Sequence, residues 1–191
     1  MRLHGFVTDK NNLSLPGVLV EIKNSEFQTI YSAETDQSGY YEIELTAGFY
    51  PFLTAVRDYG ERYLEYWCHN LKLDLDTELN IKIDTIEIYG LNYFRIAGAF
   101  PALMVYFRPM SLQKFLTQAE DVAPDIEKID FSVNQKKCAI LKVNSIEEYI
   151  GERSLRAYLV QIEEPENHWN KLDLEITDFD GNYGAASIFW G

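Results

Sequence analysis

The chain has 191 residues, of which 47% are hydrophobic and 25% are charged, and its formal net charge is −13. This composition is typical of a globular protein and argues against disorder or low complexity. The acidity is spread over the chain, with a net charge of −7 in residues 1–84 and −6 in the remainder. Nucleic acids and anionic membrane surfaces are therefore disfavoured as partners, since both attract basic surfaces.

The two cysteines, Cys68 and Cys138, are too few for a disulfide framework. Buried free thiols are expected, and a single bridge between them stays open. No apolar run approaches the ~20 residues that span a bilayer, so no membrane insertion is expected. The first residues, "RLHGFV", already have a strand pattern, and no signal peptide is expected. The compartment is left open: extracellular if a signal has been removed, otherwise cytoplasmic.

Residues 1–84 consist of short segments that alternate polar and apolar residues, which indicates β-strands. The clearest alternation runs from Leu71 to Ile83, with an expected break around Asp76–Thr77. Turn-rich sequence separates the segments, as in a β-sandwich. The predicted strands are "LHGFVT", "VLVEIKN", "FQTIYSAE", "YYEIELTA", "FYPFLTAVRDYG" and the two parts of "LKLDLDTELNIKID".

The stretch "TDQSGYY" predicts a specific turn. Asp36 suits the first position of a type I turn, where its side chain accepts hydrogen bonds from backbone N–H groups, and Gly39 suits the last position. A second corner is expected at "GFY", where the hydroxyl of Tyr50 is expected to tether to nearby backbone.

Four motifs together resemble the carboxypeptidase regulatory-like domain, a family with a transthyretin-like (prealbumin-like) β-sandwich. They are Gly5/Val7/Asp9, Pro16/Gly17/Val18/Val20, Thr35/Asp36/Gly39/Tyr41 and Gly48/Tyr50. The second motif is one residue tighter than the common form. The resemblance covers about residues 1–84 and implies a prealbumin-like sandwich with an accessory role beside enzymes, receptors or surface proteins. It implies no catalytic residues.

Residues 85–191 predict a second β-sandwich. One helical insert is expected near 112–122, because Leu112, Phe115, Leu116, Ala119 and Val122 have helical spacing. The segment "SIEEYIGERS" is compatible with a further helical turn, since Ser145 and Glu148 fit a capping box. The closing "LEITDFDGNYGAASIFW" resembles the final hairpin of bacterial immunoglobulin-like modules. The predicted architecture is therefore all-β, with two sandwiches at 1–84 and 85–191.

The loop "DFDGNYG" has oxygen ligands at Asp178, Asp180 and Asn182, which raises the alternative of a calcium site. The EF-hand pattern fails, because Tyr183 stands where glycine is needed and Phe189 where glutamate is needed. A structural turn is the preferred interpretation.

The three histidines, His4, His69 and His168, are scattered and are expected to be structural. No catalytic motif is present in the sequence. We therefore expect no metal, no cofactor and no catalytic residues.

The segment "DYGERYLEYWCHNL" is the best candidate for a binding surface. Strand alternation places Tyr63, Glu65 and Trp67, followed by His69, on one face, while Leu64, Tyr66 and Cys68 point inward. Flat rings beside an acid suit sugar stacking or a protein contact. The alternative is that Trp67 is a core residue.

Three functional hypotheses follow. The first is a non-catalytic accessory or binding module that engages a protein or a carbohydrate. The second is a structural protein that assembles into homo-oligomers through β-edges. The third is a hydrolase that uses paired carboxylates.

Overall fold

A computed structural model describes residues 1–163, 165 and 169–190. Within these residues the chain is all-β, with one short helix, α1, at Leu112–Leu116. The strands, in chain order, are β1 Arg2–Thr8, β2 Leu19–Lys23, β3 Thr29–Glu34, β4 Tyr40–Glu44, β5 Gly48–Val56, β6 Tyr66–Leu73, β7 Thr77–Glu78, β8 Ile81–Lys82, β9 Ile86–Phe94, β10 Ala102–Ser111, β11 Ile126–Val133, β12 Lys136–Cys138, β13 Ile140–Tyr149, β14 Ser154–Glu163, β15 Lys171–Asp178 and β16 Tyr183–Phe189.

The described strands form three sheets. A large sheet has the order β12-β11-β15-β16-β6-β5-β2-β3. A small sheet, with β1 between β4 and the short strands β7 and β8, packs on the β6-β5-β2 side of the large sheet. The third sheet, β13-β14-β10-β9, packs on the side formed by β11, β15 and β16. Both halves of the molecule are therefore β-sandwiches.

Strand alternation creates two hydrophobic cores. The first core is built by buried side chains between Leu3 and Ile83, and it also takes in Phe189 from the last strand. The second core is built by buried side chains between Ile86 and Ile188. Each core lies between two sheets, and the large sheet contributes to both.

The halves are joined because β16 pairs in parallel with β6, with Ala186 opposite Trp67 and Ile188 opposite His69. Successive side chains of β16 consequently point into different hydrophobic cores. Phe189 points into the first core, whereas Ala186 and Ile188 point into the second. The face of β6 that points away from the first core, which carries Trp67 and His69, is thus continuous with the face of β16 that lines the second core.

The predicted turn at Asp36 is confirmed. Its Oδ1 accepts from the backbone N–H groups of Ser38 at 2.8 Å and Tyr40 at 3.0 Å. Gly39 has a φ of +79°, which glycine adopts without steric cost. Asp178 forms the same turn, since its Oδ1 accepts from the N–H of Asp180 at 3.0 Å and of Asn182 at 2.8 Å. The loop "DFDGNYG" is therefore a structural turn in this conformation.

The expected tether of Tyr50 is also confirmed, since its hydroxyl donates to the carbonyl of Thr46 at 2.7 Å. Gly5 has a packing role, because a Cβ at this position would lie 2.2 Å from the carbonyl oxygen of Leu79. The break expected around Asp76–Thr77 is present, since β6 ends at Leu73 and β7 begins at Thr77.

Two expectations in the second half are corrected. The helix expected near 112–122 ends at Leu116, because the Thr117 hydroxyl bonds back to the Gln113 carbonyl at 2.9 Å and Gln118 takes a φ of +55°. The helical turn considered at Ser145–Glu148 is wrong. Both residues lie in β13, a strand that pairs along its length with β14.

The thiols of Cys68 and Cys138 are both free, Cys68 in the first core and Cys138 half-buried. Burial raises the pKa of the Cys68 thiol. Among the described residues, no helix is long and apolar enough to cross a membrane. His168, one of the histidines expected to be structural, lies outside the described residues.

Candidate binding site

An open corner lies where β9 of the third sheet rises beside the outward face of β6. We call it the aromatic corner, and its residues are Phe27, Phe52, Tyr59, Glu65, Trp67, His69, Glu87 and Tyr89. The floor comes from neighbouring strands, because Trp67 on β6 is opposite Thr54 on β5, and Phe52 is opposite His69. The wall comes from β9, which carries Glu87 and Tyr89. The corner exists because the third sheet stops at β9 and covers only part of the large sheet.

Trp67 is the half-buried centre of the corner. Its ring stacks on Phe27 with centroids 5.4 Å apart and an interplanar angle of 22°. On the same strand, the His69 ring is nearly parallel to it, at 6.0 Å and 14°. Phe52 meets it edge-on at 6.3 Å. The ring of Trp67 is thus packed by its neighbours but lies outside the two hydrophobic cores.

Phe27 occupies an unusual backbone conformation. The side chain of Asn24 accepts from the N–H groups of Glu26 at 3.0 Å and Gln28 at 2.9 Å, the same pattern as at Asp36 and Asp178. In that pattern Phe27 takes the place of Gly39 and Gly181, with a φ of +62°. A bulky residue there is strained, and strained residues concentrate at functional sites.

Phe27 is nevertheless 46% exposed as a residue. One contact on its ring is the stack with Trp67, and another is the ammonium group of Lys23, 4.7 Å from the ring centroid. The strained turn therefore presents an aromatic ring to solvent at the rim of the corner.

Glu87 ties the wall to the floor. It is fully buried, and its carboxylate accepts from the indole Nε1 of Trp67 at 2.7 Å and from the hydroxyl of Tyr59 at 3.2 Å. The hydroxyls of Tyr59 and Tyr89 lie 3.3 Å apart. Burial raises the pKa of Glu87, although these donors and the backbone of Glu65 counteract the rise. The carboxylate thus fixes the orientation of Trp67 and Tyr59.

Glu65 is the second acid of the corner. Burial raises its pKa to about 7, and the nearby Glu87 adds to the rise. At neutral pH this carboxyl group is therefore divided between its protonated and ionised forms. It can both donate and accept hydrogen bonds toward a ligand. Burial also lowers the pKa of His69 to about 4, so the imidazole is neutral at neutral pH.

The structure brings together two of the three residues predicted from the sequence. Glu65 and Trp67 lie in the corner, whereas Tyr63 packs against the first core. The reason is that β6 begins at Tyr66 and Tyr63 belongs to a turn that forms a bridge with Tyr59. Leu64, which was predicted to point inward, is buried, as are Tyr66 and Cys68.

Sequence reasoning missed Phe27, Phe52, Glu87 and Tyr89, and it did not single out Tyr59 within the proposed segment. Glu87 has no local signal, because an acid between two isoleucines is the ordinary pattern of a solvent-facing strand position. For Phe27 the signal was an Asn-initiated turn without glycine.

A groove of about 320 Å³ continues from the wall of the corner. Tyr89 lies at the junction, with the guanidinium of Arg108 5.6 Å from its ring centroid. Apolar side chains of β10 and α1 line much of this groove, including Met110 and Phe115. In the part of the chain that the structure describes, no group of three or more potential metal-ligating side chains comes together.

Comparison with known proteins gives no family. No family model matches the chain, and no curated protein matches it. Among solved structures, a DUF3823 family protein from Bacteroides ovatus has 10% identity and a TM-score of 0.32, with 98% of each chain covered. A proposed carbohydrate binding protein from Bacteroides uniformis has 11% identity and a TM-score of 0.36, with 99% of this chain and 98% of that one covered.

The major pilin subunit BcpA of Bacillus cereus has 9% identity and a TM-score of 0.34, and the match covers 98% of this chain and 67% of the pilin. At these scores the likenesses carry no argument about function. The β-sandwich architecture follows from the strands and sheets described above.

Proposed function

We propose that this chain is a non-catalytic binding module and that the aromatic corner binds a carbohydrate. The observation that most supports this proposal is that the corner combines exposed aromatic rings with a carboxyl group whose pKa is raised. Phe27 and Tyr59 are 46% and 52% exposed, and Glu65 lies on the same floor with a pKa of about 7. Sugars offer apolar C–H faces to aromatic rings and hydroxyls to groups that donate and accept.

The positions of the rings favour a ligand at the rim of the corner. Trp67 is covered by Phe27 on one side and flanked by His69, so the exposed rings of Phe27 and Tyr59 are the stacking surfaces. Trp67 and Glu87 act beneath them as a rigid support. Such preorganisation lowers the entropy cost of binding.

The state of Glu87 supports a non-catalytic role. A hydrolase of the carboxylate type needs two acids that reach the substrate. The carboxylate of Glu87 is fully buried and receives hydrogen bonds from Trp67 and Tyr59. These contacts hold the Glu87 carboxylate within the protein, so it is not placed to act as the second acid of such a pair.

We further propose that residues 1–84 form a module of the carboxypeptidase regulatory-like kind and that residues 85–191 form the second unit. The turn of Asp36, the tether of Tyr50 and the close approach at Gly5 give three of the four motifs a structural role. In this proposal the molecule is an accessory part of a larger system. The corner lies between its two units.

A glycan array with paired variants tests the proposal. Phe27→Gly removes the exposed ring and suits the local backbone, and Phe49→Gly removes a comparably exposed ring from β5, with Phe49 56% exposed. The wild-type protein and the Phe49 variant are expected to bind the same glycans. The Phe27 variant is expected to lose at least about tenfold in affinity, equivalent to ~1.4 kcal/mol.

Two results would overturn the proposal. One is the absence of any glycan binding by the folded wild-type protein, which would leave a protein partner as the alternative. The other is equal loss of binding in both variants, because the ligand would then lie outside the corner.

A further inference from the structure

The longest open sheet edge in the described part of the chain is β13. This strand has 10 residues and lies at the end of the third sheet, with β14 as its neighbour. The strand at the other end of the third sheet, β9, has 9 residues, and the terminal strands of the large sheet have 6 residues in β3 and 3 in β12. An open edge offers a row of backbone N–H and C=O groups to another strand.

The core-facing side of β13 extends beyond the sandwich. Val143 pairs with Val160, which is fully buried in the second core, yet Val143 is 42% exposed. Farther along the same face, Tyr149 is 76% exposed. Apolar side chains that point toward a core but remain uncovered gain from a further strand beside them, because that strand removes their surface from water.

The charges of β13 indicate which strand fits. Charged residues usually protect an edge from pairing, and here they are segregated by sign: Lys142 stands near one end, and Glu147 and Glu148 stand near the other. Glu148 also accepts a hydrogen bond from Arg108 of its own chain at 2.7 Å, so Lys142 of a second copy would join an existing ion pair. A parallel copy would place like charges side by side. An antiparallel copy brings opposite charges together.

We propose that β13 pairs antiparallel with β13 of a second copy of this chain. This pairing would join the third sheet of one copy to the third sheet of the other across a two-fold axis. Such an axis is perpendicular to the sheet. Each side chain therefore lies on the same side of the joined sheet as the side chain of the residue opposite it. With Ser145 opposite its own copy, Lys142 lies opposite Glu148 of the second copy, and the pair occurs twice. Cross-strand pairs of opposite charge stabilise antiparallel sheets.

Solution mass at rising protein concentration is the first test. The expected result is a species with twice the mass of the 22.2 kDa chain. Moderate salt is required, because two chains of net charge −13 repel each other at low ionic strength. Lys142→Glu is expected to weaken the dimer about tenfold, since both symmetric pairs become repulsive.

Cysteine cross-linking tests the register. Opposite residues on antiparallel strands have Cα atoms ~4.5–5.5 Å apart, a distance that a disulfide spans. Ser145→Cys, made with Cys138→Ala, is therefore expected to give a covalent dimer under mild oxidation. Ser32→Cys in the same background is the control, because Ser32 is also an exposed serine on an edge strand, β3.

The covalent dimer of the Ser145 variant, together with a monomeric Ser32 variant, supports the proposal. A monomer at every concentration overturns it, including the case in which β13 receives a strand from another protein. A dimer that Ser32→Cys cross-links and Ser145→Cys does not also overturns it.

Discussion

At the strained turn of Phe27 we predict that a glycine variant is more stable than an alanine variant, the reverse of the usual order in a strand. At an ordinary strand position, glycine is less stable than alanine by ~0.5–1 kcal/mol because it loses more backbone freedom on folding. Phe27 has a φ of +62°, and a side chain with a Cβ costs ~1–2 kcal/mol in this region. Phe27→Gly relieves that strain, whereas Phe27→Ala retains it.

Both variants lose the same ring contacts. The stack with Trp67 and the edge contact with Phe52, together with the buried half of the ring, stabilise the fold by ~1–2 kcal/mol. Phe27→Ala is therefore expected to lose about that amount. Phe27→Gly is expected to lie within ~1 kcal/mol of the wild type, which makes it ~1 kcal/mol more stable than the alanine variant.

Urea unfolding followed by tryptophan fluorescence measures this difference as a midpoint shift of about 0.5 M between the two variants. Phe49 on β5 supplies the control pair, and there the alanine variant is expected to be the more stable. A Phe27→Ala protein at least as stable as Phe27→Gly would refute the strain at this turn.

Three further changes test other parts of the molecule by urea unfolding. Because the pKa of Glu65 is raised from 4.5 to about 7, the stability that its proton provides is full below pH 4.5 and is lost as the pH rises through 7. Glu65→Gln is thus expected to match the wild type at acid pH and to exceed it by ~1–2 kcal/mol above pH 7, and a constant difference across this range would contradict the shift. Glu87→Ala removes the buried acceptor of the Trp67 indole and is expected to lose ~2–4 kcal/mol; a loss under ~1 kcal/mol would show that the acceptor is dispensable. Gly5→Ala forces a Cβ against the carbonyl oxygen of Leu79 at 2.2 Å, with an expected loss of at least ~2 kcal/mol, and an unchanged midpoint would mean that β1 can shift away.

Local chemistry made much of the fold predictable. The turn at Asp36 depends on residues within four positions, so the sequence carries both the acceptor and the glycine. Alternation predicted which side of β6 is buried, because the period of a strand places Leu64, Tyr66 and Cys68 together. These features need no knowledge of distant parts of the chain.

The helix and β13 show where local signals gave way. Helical spacing extends to Val122, yet Gln118 at positive φ ends the helix early. At Ser145 the capping pattern competes with strand pairing along β14, and the pairing prevails because it forms a ladder of backbone hydrogen bonds along one side of the strand.

The candidate site depends on distant pairing, which the sequence does not reveal. Trp67 faces the aromatic corner because β6 pairs in parallel with β16. In this pairing Trp67 lies opposite Ala186, which is 119 residues later in the chain. Glu87 is buried because β9 crosses at the end of the third sheet. Neither contact has a local pattern, and Phe27 departs from the glycine that usually marks its turn.

The most direct measurement of carbohydrate binding at the aromatic corner follows the indole N–H signals of the three tryptophans by NMR. The Trp67→Phe variant assigns the signal of Trp67, whose indole donates to Glu87. During titration with the strongest glycan from the array, the Trp67 signal is expected to shift saturably while those of Trp169 and Trp190 stay in place. A Trp67 signal that no glycan moves, or a saturable shift confined to the other two tryptophans, would contradict binding at the corner.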